Sequence, residues 1–114
     1  KAERLAERRT EVSKKVSDIL PKTEILAQLA EEASELAQAA LKLRRALDGT
    51  NPTPKSVEEC EANLIEEWAD VDLSLRCALG TDYFYEYRTK VEQMELKKLD
   101  RWLSRLEANE QLDE

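Results

Sequence analysis

Two short stretches of this chain hold acids at a spacing that could do chemistry. In "LAEEASELAQAALKL", Leu29 to Leu43, Glu32 and Glu35 stand three residues apart, and in "NLIEEWADVDLSL", Asn63 to Leu75, Glu67 and Asp70 repeat the interval. Residues three apart on a helix are neighbours, so each pair presents two carboxylates side by side. Burying a carboxylate without a partner costs several kcal/mol, and four that converge also repel one another. Protonation, pairing with Lys or Arg, and a divalent cation are the three ways out. The cation suits four clustered oxygens best. The chain has no histidine, so the ligands are carboxylates alone and the expected ion is hard, Mg²⁺ or Mn²⁺. The plain alternative is that these acids are surface charge, because an EExxE run in a chain with 25 acidic residues is ordinarily a solvated helix face. What argues against that alternative is the recurrence of the pair on consecutive helices, each time beside an apolar stripe.

The elements that must hold these acids can be read from pattern and punctuation. The chain has 114 residues, 38% of them charged, with two glycines and three prolines. That composition predicts an all-α fold in one domain spanning 1–114. Four helices are expected. The first runs from about Ala2 to Leu20, with Leu5, Val12, Val16 and Ile19 on one side, and Pro21 ends it. The second is capped by Thr23 and runs to about Leu47, where Gly49, Pro52 and Pro54 stop it. Ser56 with Glu59 forms a capping-box signature for the third, which Gly80 closes. The fourth is capped by Thr81 or Asp82 and runs to about Glu107, ahead of a fraying "NEQLDE".

At about 100° per residue, Ile25, Leu29, Leu36, Leu43 and Leu47 share one stripe of the second helix, with Glu32 inside it, Glu35 on its edge and Glu31 further out. On the third helix Val57, Leu64, Trp68, Val71 and Leu75 form one stripe and Ile65, Ala69 and Leu73 another, with Glu67 and Asp70 at a seam between them. A helix that is apolar on two sides is sandwiched between neighbours. One small chain has too few helices to cover it, so a homodimer or homotetramer is expected to complete the bundle.

Charge and cysteine usage narrow the class further. A net charge of −7 repels phosphate backbones and disfavours nucleic acid as a partner. No apolar run approaches the roughly 18 residues of a membrane span, and no signal-peptide pattern opens the chain. Cys60 and Cys77 on one helix are separated by roughly 25 Å of rise, against the about 7 Å limit of a disulfide, so both read as free thiols in a reducing cytoplasm.

"EEASE" (Glu31, Glu32, Glu35) followed by "EWAD" (Glu67, Asp70) resembles the E-E-x-x-E … E-x-x-D signature of MazG-like nucleotide pyrophosphohydrolases. These belong to the all-α NTP pyrophosphatase superfamily, together with the dimeric dUTPases and dCTPases. The resemblance covers about residues 23–105, and "CALGTDYFYEYRTKVEQ" is similar to the Gly turn into a long basic helix often seen there. The interval between Glu35 and Glu67 is longer than in MazG proper because of the "DGTNPTPK" loop, which leaves the subfamily and the substrate base open.

The resemblance implies a Mg²⁺-dependent hydrolase that converts a nucleoside triphosphate to the monophosphate and pyrophosphate. Glu32, Glu35, Glu67 and Asp70 match its metal ligands. Glu31 matches the first Glu, an outer ligand or a base orienting water, so that Glu31 and Glu32 are the catalytic candidates. A divalent ion also acidifies water, which lets hydrolysis proceed without histidine. For the substrate's phosphates, Lys90, Lys97 and Arg101 share roughly a 40° arc of the fourth helix beside the Phe84, Tyr87, Val91, Trp102 stripe. They read either as a clamp on the β- and γ-phosphates or as an ordinary solvated flank. Trp68 either stacks on the base or packs in the core. The rival to the enzyme is a helical interaction bundle with an acidic surface. A di-iron bundle ranks far behind, since its sites use Glu-x-x-His pairs.

Overall fold

In a computed structural model the chain is all-α among the described residues, 1–49 and 54–113. Four helices follow one another: α1 Ala2–Ile19, α2 Lys22–Asp48, α3 Val57–Leu79 and α4 Thr81–Asp113. No helix among the described residues is long and apolar enough to cross a membrane. Residues Lys1–Thr81 make one compact unit and Asp82–Glu114 a second.

The helix boundaries follow local rules. Leu20 is extended, at φ −96° and ψ 134°, as the residue before a proline must be. Its N–H still donates to the Val16 carbonyl at 2.9 Å. Thr23 does not cap α2. The cap lies two residues earlier, at Pro21, and the helix begins at Lys22 with no side-chain cap bond. Proline's fixed φ suits a helix start, and the Pro21 carbonyl accepts from the N–H groups of Glu24 and Ile25 at 3.0 and 3.1 Å. Gly49 ends α2 in the left-handed region at φ 68°, where a glycine costs least. The capping box of α3 is complete: Ser56 Oγ accepts from the Glu59 N–H at 3.1 Å and Glu59 Oε1 accepts from the Ser56 N–H at 3.4 Å. Gly80 closes α3 at φ 83° and ψ 149°, a conformation all but reserved for glycine. Helix α4 runs to Asp113, past the expected end at Glu107. Pro52, the caps proposed at Thr81 and Asp82, and the side chains of Tyr83, Phe84 and Tyr85 lie outside what the structure describes.

In the first unit α2 lies along α3, and α1 rests on α3. The core is where the three meet, with Ile25, Cys77 and Ala78 buried together and Val16 of α1 packed against them. Among the described residues, the buried side chains apart from Ile25 are small: Ser13, Ala39, Cys60, Ser74, Cys77 and Ala78. Small residues let helix axes approach closely. The stripe expected for α3 holds at Val57, Leu64 and Val71, which are half-buried, and fails at Trp68, which is 63% exposed, and at Leu75, which faces solvent. The buried line runs through those three together with Cys60, Glu67 and Ser74. The acids thus lie on the packed face itself. On α1, Ser13 and Val16 dock while Leu5 and Ile19 stay exposed. The second stripe of α3, with Ile65 and Leu73, is exposed.

Candidate metal centre

The pairing register of α2 and α3 builds the site. Ile25 near the start of α2 packs with Cys77 near the end of α3, so the two helices run antiparallel. Seven residues further along α2 stands Glu32, and seven residues back along α3 stands Asp70. Three more in each direction bring Glu35 opposite Glu67. An i, i+3 pair therefore meets an i, i+3 pair, and one oxygen from each of Glu32, Glu35, Glu67 and Asp70 lies within 4.8 Å of all the others. Ala39 and Cys60 on one side of this layer, and Ser74 and Ala78 on the other, are buried and allow that approach.

The cluster is under-satisfied. Glu32 Oε2 and Glu67 Oε2 are inaccessible to solvent and have no hydrogen-bond partner among the described residues. Buried acceptors are ordinarily paired, so two orphans in one acid cluster mark a place where a positive species belongs. Around them, Gln28 donates an amide N–H to Glu32 Oε1 at 2.7 Å. Ser74 Oγ donates to the Asp70 carbonyl at 2.9 Å. Each donor sits four residues from its acceptor, but only Gln28 reaches a carboxylate, while Ser74 bonds the backbone of its own helix. Arg76, the basic residue in the last turn of α3, pairs with Asp72 at 2.8 Å.

The pKa of Glu32 is raised from its ordinary carboxylate value. The largest single influence, the Gln28 hydrogen bond, works the other way. Desolvation, the charges of Glu35 and Asp70, and the approach of the Glu35 carboxyl together outweigh it. Two carboxyls form a hydrogen bond only when one of them holds a proton, so that approach favours the protonated form.

The consequence for stability has a definite sign. A carboxyl whose folded pKa lies above its unfolded value contributes stability that is fully present below the unfolded pKa. That contribution is lost as pH rises through the folded pKa. In chelator, the metal-free protein is expected to lose melting temperature as pH climbs above the ordinary carboxylate range, and Glu32→Gln is expected to flatten this decline. Thermal melts of the two proteins over about pH 4 to 7 read the difference. Parallel curves would show that Glu32 carries no such strain.

The other candidates fall outside the cluster. Glu31 is exposed on α2 next to Glu32. Trp68 is exposed, which removes its core-packing reading. Lys90, Lys97 and Arg101 are exposed on α4, in the second compact unit. They share one side of that continuous helix, with Lys90 Nζ lying 5.8 Å from the centre of the Tyr87 ring. Cys60 and Cys77 are free and buried.

Compared with protein-family models, curated proteins and solved structures, this chain matches none of them. The resemblance to MazG-like enzymes therefore stays an expectation carried by sequence motifs alone.

Proposed function

We propose that this protein is a Mg²⁺-dependent nucleoside triphosphate pyrophosphohydrolase, with Mn²⁺ as an alternative metal. One observation carries the reading: four carboxylates from two helices converge within 4.8 Å, and two of their oxygens are buried without partners. An all-oxygen donor set fits a hard divalent ion. Bound there, such an ion would screen the phosphates and lower the pKa of water.

The chain's own groups divide the remaining work. Glu32, Glu35, Glu67 and Asp70 hold the ion. Gln28 keeps the Glu32 carboxylate oriented through its 2.7 Å hydrogen bond. Glu31, exposed on the same turn, orients water or takes its proton. Lys90, Lys97 and Arg101 are assigned to the β- and γ-phosphates, since cations are what a leaving pyrophosphate needs. Trp68 offers an exposed ring for stacking. A homodimer or homotetramer completes the reading, because Ile65 and Trp68 are each 63% exposed on α3. Sedimentation equilibrium reads the number of copies.

The first test is a Mg²⁺ titration of the metal-free protein followed by its melting temperature. A ligand that binds only the folded state adds about 2.7 kcal/mol at a hundredfold excess over Kd. A clear rise with Mg²⁺ or Mn²⁺, together with pyrophosphate release from nucleoside triphosphates, is the expected result. No rise with either ion would favour the interaction bundle, in which the acids are charge alone.

A further inference from the structure

Helix α4 carries an exposed apolar seam. Leu96, Leu99, Leu103 and Leu106 follow one another at intervals of three, four and three residues, the spacing of coiled-coil core positions. At about 100° per residue they fall within roughly an 80° arc. All four are between 49% and 62% exposed. Leu99, Trp102, Leu103 and Leu106 line an open groove of about 320 Å³ along the helix, with Asp100 beside them.

The residues that flank such a seam choose its partner. Here they are Glu95, Asp100, Trp102 and Glu107. Three acids and no base disfavour a second α4 as that partner. Parallel pairing sets Glu95 against Asp100 of the second copy, and antiparallel pairing turns the flank of Asp100 and Glu107 on itself. The bases of this part of α4, Lys97, Lys98, Arg101 and Arg105, lie roughly 80° or more around the helix from the leucines. The seam therefore suits an apolar stripe edged with Lys or Arg.

Helix α1 has that chemistry. Leu5, Val12 and Ile19 recur every seven residues, within roughly a 40° arc. Val16 packs into the core and Ser13 is buried, while Leu5 and Ile19 are 72% and 79% exposed. Arg8 and Lys15, seven residues apart and both exposed, edge the stripe on the side away from Ser13. The acids on that side, Glu7, Glu11 and Asp18, lie beyond these bases. Lys15 reaches Glu11 at 3.5 Å, but both side chains are more than half exposed and the pair is easily exchanged.

We infer that α4 of one copy pairs with α1 of a second copy, the leucine seam against the Leu5, Val12 and Ile19 stripe, with Asp100 and Glu107 toward Arg8 and Lys15. Twofold symmetry repeats the contact, so each copy gives one α1 and receives another. The inference rests on the homo-oligomer proposed above and deepens it, and it is independent of the metal and of hydrolysis.

Two charge-reversed full-length chains test it. In the first, Arg8→Glu with Lys15→Glu leaves both surfaces edged with acids. In the second, Asp100→Lys with Glu107→Lys leaves both edged with bases. Sedimentation equilibrium is run on the parent, on each variant and on their equimolar mixture, with circular dichroism reading helix content. The parent is expected to self-associate, each variant alone to do so at least about tenfold more weakly, and the mixture to recover. Only unlike chains then present opposite charge at both contacts. Leu103→Ala, at an exposed position, is expected to weaken the parent's association about tenfold without loss of core. If a reversed chain loses helix, this variant decides alone, and unchanged association overturns the inference. A mixture no stronger than its components also overturns it. Variants that associate like the parent overturn it too, keeping the oligomer and moving the contact to another surface. A monomeric parent that gains melting temperature with Mg²⁺ loses this inference and the oligomer and keeps the metal centre. A monomeric parent that binds a synthetic helix with Leu along its seam and Lys at its flanks assigns α4 to a different protein, and overturns the pairing with α1.

Discussion

Glu32→Gln, Glu35→Gln, Glu67→Gln and Asp70→Asn are each expected to abolish Mg²⁺-dependent triphosphate hydrolysis, with losses of at least about a hundredfold in kcat/KM. The expectation follows from the convergence of the four oxygens within 4.8 Å, since a site made only of carboxylates has no other ligand to compensate for one removed. The folds should survive, and the metal-free proteins should melt no lower than the parent. Glu67→Gln should melt higher, because it puts an amide donor where the buried, unpartnered Oε2 of Glu67 now lies. A gain of about 1 kcal/mol would appear as roughly 4–8 °C in a domain of this size. Glu31→Gln separates ligand from base: it should slow turnover while leaving the Mg²⁺-dependent rise in melting temperature intact. Circular dichroism, thermal melts and pyrophosphate release on the same five proteins decide the matter. If the four ligand variants keep parental activity, the metal centre is wrongly assigned.

The second large effect is the position of the cut. Water is expected to add to the α-phosphorus as the bond from that phosphorus to the oxygen bridging to the β-phosphate breaks. Pyrophosphate leaves with the bridging oxygen, and the proton lost by water passes to Glu31 or to solvent. A Gly-rich phosphate loop grips the end of the chain with backbone N–H groups and directs the cut to the γ-phosphate. This chain has two glycines, Gly49 and Gly80, and both terminate helices. Its candidate ligands are side chains in mid-helix, fixed by the packing of α2 on α3. Turnover in ¹⁸O-labelled water reads the outcome directly. Label in the monophosphate, with pyrophosphate as the other product, is the expected result. Label in orthophosphate beside a nucleoside diphosphate would place the attack at the γ-phosphorus and overturn the assignment.

Much of this protein was determined by its sequence alone, where the physics is local. Pro21, Gly49, the Ser56–Glu59 box and Gly80 set the helix ends through φ restriction and hydrogen bonds that span three or four residues. The interval in Glu32–Glu35 and in Glu67–Asp70 made each pair a joint presentation of charge before any fold was known. The start of α2 departed by two residues because proline's own backbone, with no side-chain cap, serves as the entry there.

Only the tertiary structure decided which faces meet. Periodicity places Trp68 and Leu75 on a stripe, but it ranks positions by hydropathy and has no measure of how closely two axes can approach. The packed face of α3 keeps Val57, Leu64 and Val71 but closes on small residues, Cys60, Ser74 and Ala78, whose merit is size. That choice turns Glu67 and Asp70 from a seam into the contact itself. The antiparallel register then aligns Glu32 with Asp70 and Glu35 with Glu67, and no local rule carries that alignment. The burial of Ser13 is tertiary in the same sense. Ser13 is one polar residue among many on a charged helix until α1 docks on α3 and its hydroxyl is buried. Local bonds fix where helices begin and end, whereas the energy of packing depends on shape across the gap between them, and shape exists only once the helices are together.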